Sequence, residues 1–286
     1  MEVGQLRQLL LDEVFKALGL LRFPYLCLAL KPLFSPAVQR FAELAVAFDR
    51  NVALKGFSEA ARRVLPVFAE QVYVQIEAPL PEEGALLVVS NHPGLVDSLV
   101  LASRLPRKDL RVVASGVPFL RHLKATAGHL IYSSLDTFER AKTLRAVIRH
   151  LQNGGTVLIF PGGRIEPDPL FMPGAEEELE NWSPSIEVII RHVPNLHLVV
   201  SAVSGVLNPA WMRNPFVRLR RGRLNQQRTA EFLQVIQQML SPKSPKPSPR
   251  ASLSAPLRLP EKVQVPILPW IVELARERIR LVAQTA

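Results

Sequence analysis

Cysteine is almost missing from this sequence. Cys27 is the only one in 286 residues, which excludes an internal disulfide and a cysteine-based zinc site and points to a reduced, cytosolic setting. Aromatic residues make up 7%, and neither zinc-finger spacing nor an RNA-recognition aromatic signature occurs, so no nucleic-acid partner is expected. P-loop and dinucleotide fingerprints are absent, which argues against nucleotide chemistry, and no Gly-x-Ser-x-Gly marks a serine nucleophile. Long apolar runs are also lacking. The stretch Leu18 to Phe34 is interrupted by Arg22, Pro24, Lys31 and Pro32, and its longest uncharged piece, Phe23 to Leu30, falls far short of the roughly 20 residues that span a bilayer. Glu2, Asp12 and Glu13 come too early for a signal peptide. Acidic residues, finally, are scarce between Trp211 and Arg250. Nine arginines and lysines there face Glu231 alone, so this segment carries +8 of a formal +10 and favours an anionic partner, for which an anionic membrane leaflet is the expectation.

What is present is a strand-and-helix rhythm. Leu6, Leu9, Leu10, Val14 and Leu18 recur at helical spacing over Val3 to Leu21, and Ala60, Ala61, Val64, Leu65 and Phe68 do so over Phe57 to Gln71. Ala85 to Ser90, Thr156 to Phe160 and Leu196 to Val203 are continuous apolar runs of the kind buried on both faces of a parallel sheet, with weaker strands at Val72 to Ile76, Leu110 to Ala114 and His129 to Tyr132. Between them, Asp97 to Arg104 and Ile186 to His192 read as helices. A longer one opens on the capping sequence Asp136-Thr137-Phe138-Glu139 and stops at Asn153-Gly154-Gly155. The expected fold is α/β, with a largely parallel central sheet flanked by helices and N-terminal amphipathic helices. Four regions follow. They are a helical, membrane-associating segment over 1–71, an α/β domain over 72–240, a Pro/Ser-rich linker over 241–260, and a C-terminal amphipathic segment over 261–286 with Trp270, Ile271, Leu274 and Leu281 as its apolar side.

Two strand ends carry the chemistry. Asn91-His92-Pro93-Gly94-Leu95-Val96-Asp97 follows the strand at Ala85 to Ser90, and offers an imidazole base with a carboxylate able to orient it. Phe160-Pro161-Gly162-Gly163-Arg164 follows the strand at Thr156, where the glycines permit close backbone approach, amide N–H groups can face an oxyanion, and Arg164 adds a fixed charge. An α/β sheet binds ligands outside the carboxyl ends of its strands, which suits both junctions. His122, His129, His150, His192 and His197 show no trusted metal-ligand spacing, so no metal is expected.

These residues resemble those of the glycerolipid acyltransferases, the family that acylates lysophosphatidic acid or glycerol 3-phosphate. Asn91, His92 and Asp97 are similar to its first motif. Phe160, Pro161 and Gly163 match part of its Phe-Pro-Glu-Gly-Thr-Arg motif, in which Gly162 replaces glutamate and Arg164 falls one position early. The family's Gly-x-x-Phe-Ile-Asp-Arg motif corresponds to Gly128 through Ser134, with Ser134 in place of a phosphate-binding arginine. Losing one such charge-assisted bond, about 1.5 to 3 kcal/mol, should weaken a phosphorylated acceptor about ten- to a hundredfold. The resemblance implies transfer of a fatty acyl group from an acyl-CoA or acyl carrier protein thioester to a hydroxyl or amine of a lipid-like acceptor, with no other cofactor. His92 and Asp97 would be catalytic, and Asn91, Phe160, Pro161, Gly162, Gly163 and Arg164 would bind substrate, on a protein peripheral to the cytoplasmic face of a membrane. A membrane-binding module on a decayed scaffold and an acyl-thioester hydrolase remain the alternatives.

Overall fold

Continuous apolar strands form where both sheet faces are covered, and alternate residues of the second strand show this directly. Leu87 and Val89 pack on one side with Leu151, Ile186, Ile189, Ile271 and Ile279, while Leu86 and Val88 pack on the other with Ala61, Val64, Leu65 and Leu101. The structure is a computed structural model that describes residues 3–115, 118–133, 136–259 and 266–284. Ser134 lies outside the described residues.

Three helices lead the chain: α1 (Val3–Ala17), α2 (Pro24–Lys55) and α3 (Phe57–Phe68). They are followed by β1 (Tyr73–Ile76), β2 (Leu86–Ser90), α4 (Asp97–Ala102), β3 (Arg111–Ser115), α5 (Lys124–Gly128), β4 (Leu130–Ser133), α6 (Thr137–Gln152) and β5 (Thr156–Ile159). Next come α7 (Ala175–Glu178), α8 (Ser185–His192), β6 (His197–Ser204), α9 (Pro209–Met212), α10 (Pro215–Arg218) and α11 (Arg223–Leu240). The chain closes with β7 (Arg250–Leu253), β8 (Leu257–Arg258) and α12 (Leu268–Ala283). The sheet order is β1-β7-β6-β2-β5-β3-β4, with β8 pairing β6. Strands β6, β2, β5, β3 and β4 run parallel, and β7 joins β6 antiparallel. The expected α/β architecture, largely parallel and preceded by helices, is therefore present. Its central trio β6-β2-β5 sends three carboxyl ends to one edge, with Val89 in register with both Ile159 and Val200.

Three elements differ in detail from their sequence pattern. First, the expected N-terminal helical segment holds one 32-residue helix, α2, that begins within the interrupted stretch at Pro24, where no N–H is needed, and carries Pro32 and Pro36 inside it. Tertiary contact offsets those prolines: Val38, Ala42 and Ala45 pack against Leu6, Leu10, Leu11 and Val14 of α1. Second, the Pro/Ser-rich region is not a poorly packed linker, because Ala251, Ser252 and Leu253 are buried in β7. Proline lacks a donor but keeps its carbonyl, and the carbonyls of Pro247 and Pro249 accept from Glu70 and Tyr73. Third, α12 buries Ile271, Val272, Ala275, Ile279 and Val282, whereas Trp270 and Leu281 are exposed.

Candidate active site

Asn91 follows β2 directly and stays fixed to the neighbouring strand. Its side-chain N–H donates to the Val203 carbonyl at 2.9 Å, and its Oδ1 accepts from the Val203 N–H at 2.7 Å. A side chain thus extends the β2–β6 ladder by one step, and the backbone can leave the sheet at His92 without losing its anchor. Both polar ends of the amide are thus engaged with the Val203 backbone.

His92 Nδ1 lies 2.9 Å from Asp97 Oδ2, which also accepts the Gly94 N–H at 3.0 Å. Asp97 is wholly buried in the first turn of α4, while the His92 side chain is 28% exposed. Because a carboxylate can only accept, the neutral ring carries its proton on Nδ1 and presents a lone pair at Nε2. Phe160 stacks on the ring, with centroids 4.6 Å apart and planes at 26°. Burial alone would lower the imidazole pKa. The Asp97 charge and hydrogen bond, helped by Glu231 and Glu166, outweigh burial, so His92 titrates above the ordinary histidine value.

The loop after β5 closes over this ring. Pro161 is buried, and its carbonyl accepts from Ser183 N–H at 3.1 Å. Gly163 has φ 65°, which favours glycine, and donates its N–H to the Phe160 carbonyl at 3.0 Å. That amide is therefore engaged in a turn, which narrows the expected pair of oxyanion donors. Among the described residues, no backbone carbonyl takes the Gly162 N–H. Arg164 does not face the imidazole as a spare cation, since its Nη2 pairs with Glu178 Oε1 at 2.6 Å.

Sequence reasoning missed the buried polar row beneath these loops. Gln227, Glu231, Gln234 and Gln238 repeat at intervals of four, three and four along α11, and all four are buried. Gln227 Nε2 donates to the carbonyls of Pro93 and, at 2.9 Å, of Glu166, which joins the loops after β2 and β5. The Glu231 carboxyl accepts the Leu95 N–H. Burial raises its pKa to about 7 against the opposing effect of that bond. Gly94 leaves the necessary room, because a Cβ there would sit 2.3 Å from Glu231 Oε1. Gln234 serves Val206 and Asn208, and Gln238 serves Phe68. The helical spacing was visible in the sequence, but its burial was not, because the same segment carries the arginine-rich flank.

Nε2 of an oriented imidazole at a strand edge can take a proton from a hydroxyl, and the glycine turn beside it can face the carbonyl under attack. Residues 71–186, a span that includes both loops, match the family model described as Acyltransferase. The match covers less than half of the chain, and it takes in the strands β1 to β5 with the loops that follow β2 and β5. Among solved structures it is similar to the 1-acyl-sn-glycerophosphate (LPA) acyltransferase PlsC from Thermotoga maritima, at 14% identity and a TM-score of 0.46, over 87% of this chain and 83% of that one. A search of curated proteins returned no match. Within the matched span, His92 and Phe160 belong to separate strand ends that the β2–β5 pairing brings side by side.

Proposed function

We propose that this protein transfers a fatty acyl group from a coenzyme A or acyl carrier protein thioester to a hydroxyl of a lipid-like acceptor. The observation that carries this reading is the His92–Asp97 contact of 2.9 Å, with Nε2 left as the lone-pair nitrogen beside the glycine turn. Nε2 accepts the hydroxyl proton as the acceptor oxygen attacks the thioester carbonyl. The tetrahedral intermediate collapses with cleavage of the carbon–sulfur bond, and the imidazolium returns the proton to the leaving thiolate. Asp97 stabilises the imidazolium between the two steps, and the Gly162 amide is the candidate donor to the oxyanion.

We assign this chemistry to the region 72–240, extended by β7 and β8, and attachment to an anionic membrane surface on its cytoplasmic side to the N-terminal helices and the basic segment. Among the described residues, no helix is long and apolar enough to cross a membrane. Leu21, Phe23, Tyr25, Leu26, Leu28 and Leu33 are exposed around the start of α2, and Phe216 and Leu219 are exposed near α10. A side chain at Gly19 would meet the Arg220 guanidinium at 3.3 Å, so the apolar turn and the basic segment adjoin. Apolar area beside positive charge suits an anionic interface.

The acceptor should carry its hydroxyl near a neutral or differently charged group, since Ser134 stands where the resembled motif has arginine and Arg164 is paired with Glu178. Arg121 stacks 5.0 Å over Tyr132, two residues earlier, and is a cation that could replace the missing one. The test offers one labelled acyl thioester with lysophosphatidate, glycerol 3-phosphate, other lysolipids and neutral lipids, on anionic or neutral vesicles at low and high salt. Acylation of a non-phosphate lipid, faster on anionic vesicles and weakened by salt, is expected. Transfer to water alone would replace the transferase reading with a hydrolase. Strong preference for lysophosphatidate in both the parent and Arg121→Ala would show that the missing arginine does not govern the acceptor.

A further inference from the structure

Gly162 and Gly163 are glycines for different reasons. Gly163 needs its left-handed backbone, whereas Gly162 does not, and a Cβ built on Gly162 would lie 2.1 Å from Glu166 Oε1. The space above position 162 is thus filled by a carboxyl that arrives from four residues further along the loop. Glu166 is buried, and its Oε1 accepts from the Trp182 indole at 3.1 Å. Its own N–H donates to the His92 carbonyl at 2.7 Å, and Gln227 holds its carbonyl. Oε2 is buried without a hydrogen-bond partner among the described residues. A buried carboxyl that is only half satisfied costs stability, so its presence against the catalytic loop needs a reason.

We propose that Glu166 is a positioning residue for His92, supplying from position 166 the site carboxyl for which Gly162 leaves the room. This rests on the acyl-transfer reading. The facing groups are His92 and Trp182, with Glu178 and Glu231 as the neighbouring acids. Burial raises the Glu166 pKa to about 8, opposed by the Trp182 bond, the His92 charge and the His92 backbone N–H. Once ionised, Glu166 favours the imidazolium that forms as His92 accepts a proton, so transfer should gain an additional rise with pH around that value.

Glu166→Gln keeps an acceptor for Trp182 and the backbone bond to His92 while removing the ionisable group. In this variant kcat above that pH should fall about tenfold with KM little changed, and the alkaline rise should vanish. Gly162→Ala, which pushes the carboxyl aside, should produce the same altered profile, and the double variant should lose no more than either alone. Parental kcat and pH profile in Glu166→Gln, or losses that multiply in the double variant, would overturn the proposal. The His92 imidazole titration, followed by NMR in the resting protein, separates this from failure of the acyl-transfer reading. Should the parent transfer nothing, a lower His92 midpoint in Glu166→Gln still supports the proposal, and an unmoved midpoint overturns it.

Discussion

Asp97→Asn should lower acyl transfer by about 10²-fold or more and move its pH dependence to lower pH. His92 works as a base only when neutral, so kcat/KM rises with pH through the His92 pKa. In the parent that pKa lies above the ordinary value because the Asp97 charge and hydrogen bond outweigh burial. Asparagine can still accept the Gly94 N–H, which keeps the loop in place, but it carries no charge to stabilise the imidazolium. Burial then dominates, and the midpoint falls. Steady-state rates between pH 5 and 9 (about two decades either side of neutrality) check both effects. A parental rate, or an unmoved midpoint in a slow variant, would count against the assigned role.

The second large effect concerns stability. Asp168 is fully buried and accepts the N–H groups of Leu170 at 3.1 Å, Gly205 at 2.8 Å and Val206 at 3.0 Å. It ties the loop after β5 to the end of β6. Asp168→Ala would strand two buried donors on Gly205 and Val206, each worth about 1 to 3 kcal/mol, for a loss of about 3 kcal/mol or more. Asp168→Asn keeps one acceptor and should cost less. Urea denaturation of the three proteins gives the comparison, and a loss below about 1 kcal/mol for alanine would show that the loop re-pairs its amides.

The sequence made the His92–Asp97 pair and the central strands legible because their signals are local. Alternation of apolar and polar residues is absent from β2, where every residue from Leu86 to Ser90 is buried, and that uniformity itself announced a strand covered on both faces. His92 and Asp97 were legible because the turn between them is short enough to return the carboxylate to the ring. Glu166 and Asp168 were not. Ile165-Glu166-Pro167-Asp168-Pro169 has the composition of an exposed turn, and only the tertiary partners Trp182, Gly205 and Val206 explain its buried acids. For the same reason β7 looked like a linker: its partners are β1 and β6, far away in sequence. The row of Gln227, Glu231, Gln234 and Gln238 had the right spacing, yet a polar stripe ordinarily faces water. Here it faces backbone groups of the loops after β2, β5 and β6 and of the end of α3, so each of the four side chains keeps at least one hydrogen bond although Gln227 Oε1 and Gln238 Oε1 have none among the described residues.

The most direct test of the account is the rate of acyl transfer from a thioester to the preferred acceptor by folded His92→Ala protein beside the parent. Asn91 and Asp97 would keep the loop anchored to Val203 and Gly94, so the variant should fold and differ only in the missing imidazole. The account predicts that the parent forms the acylated product and that the variant does so at least about 10²-fold more slowly. Equal rates in the two proteins would contradict it.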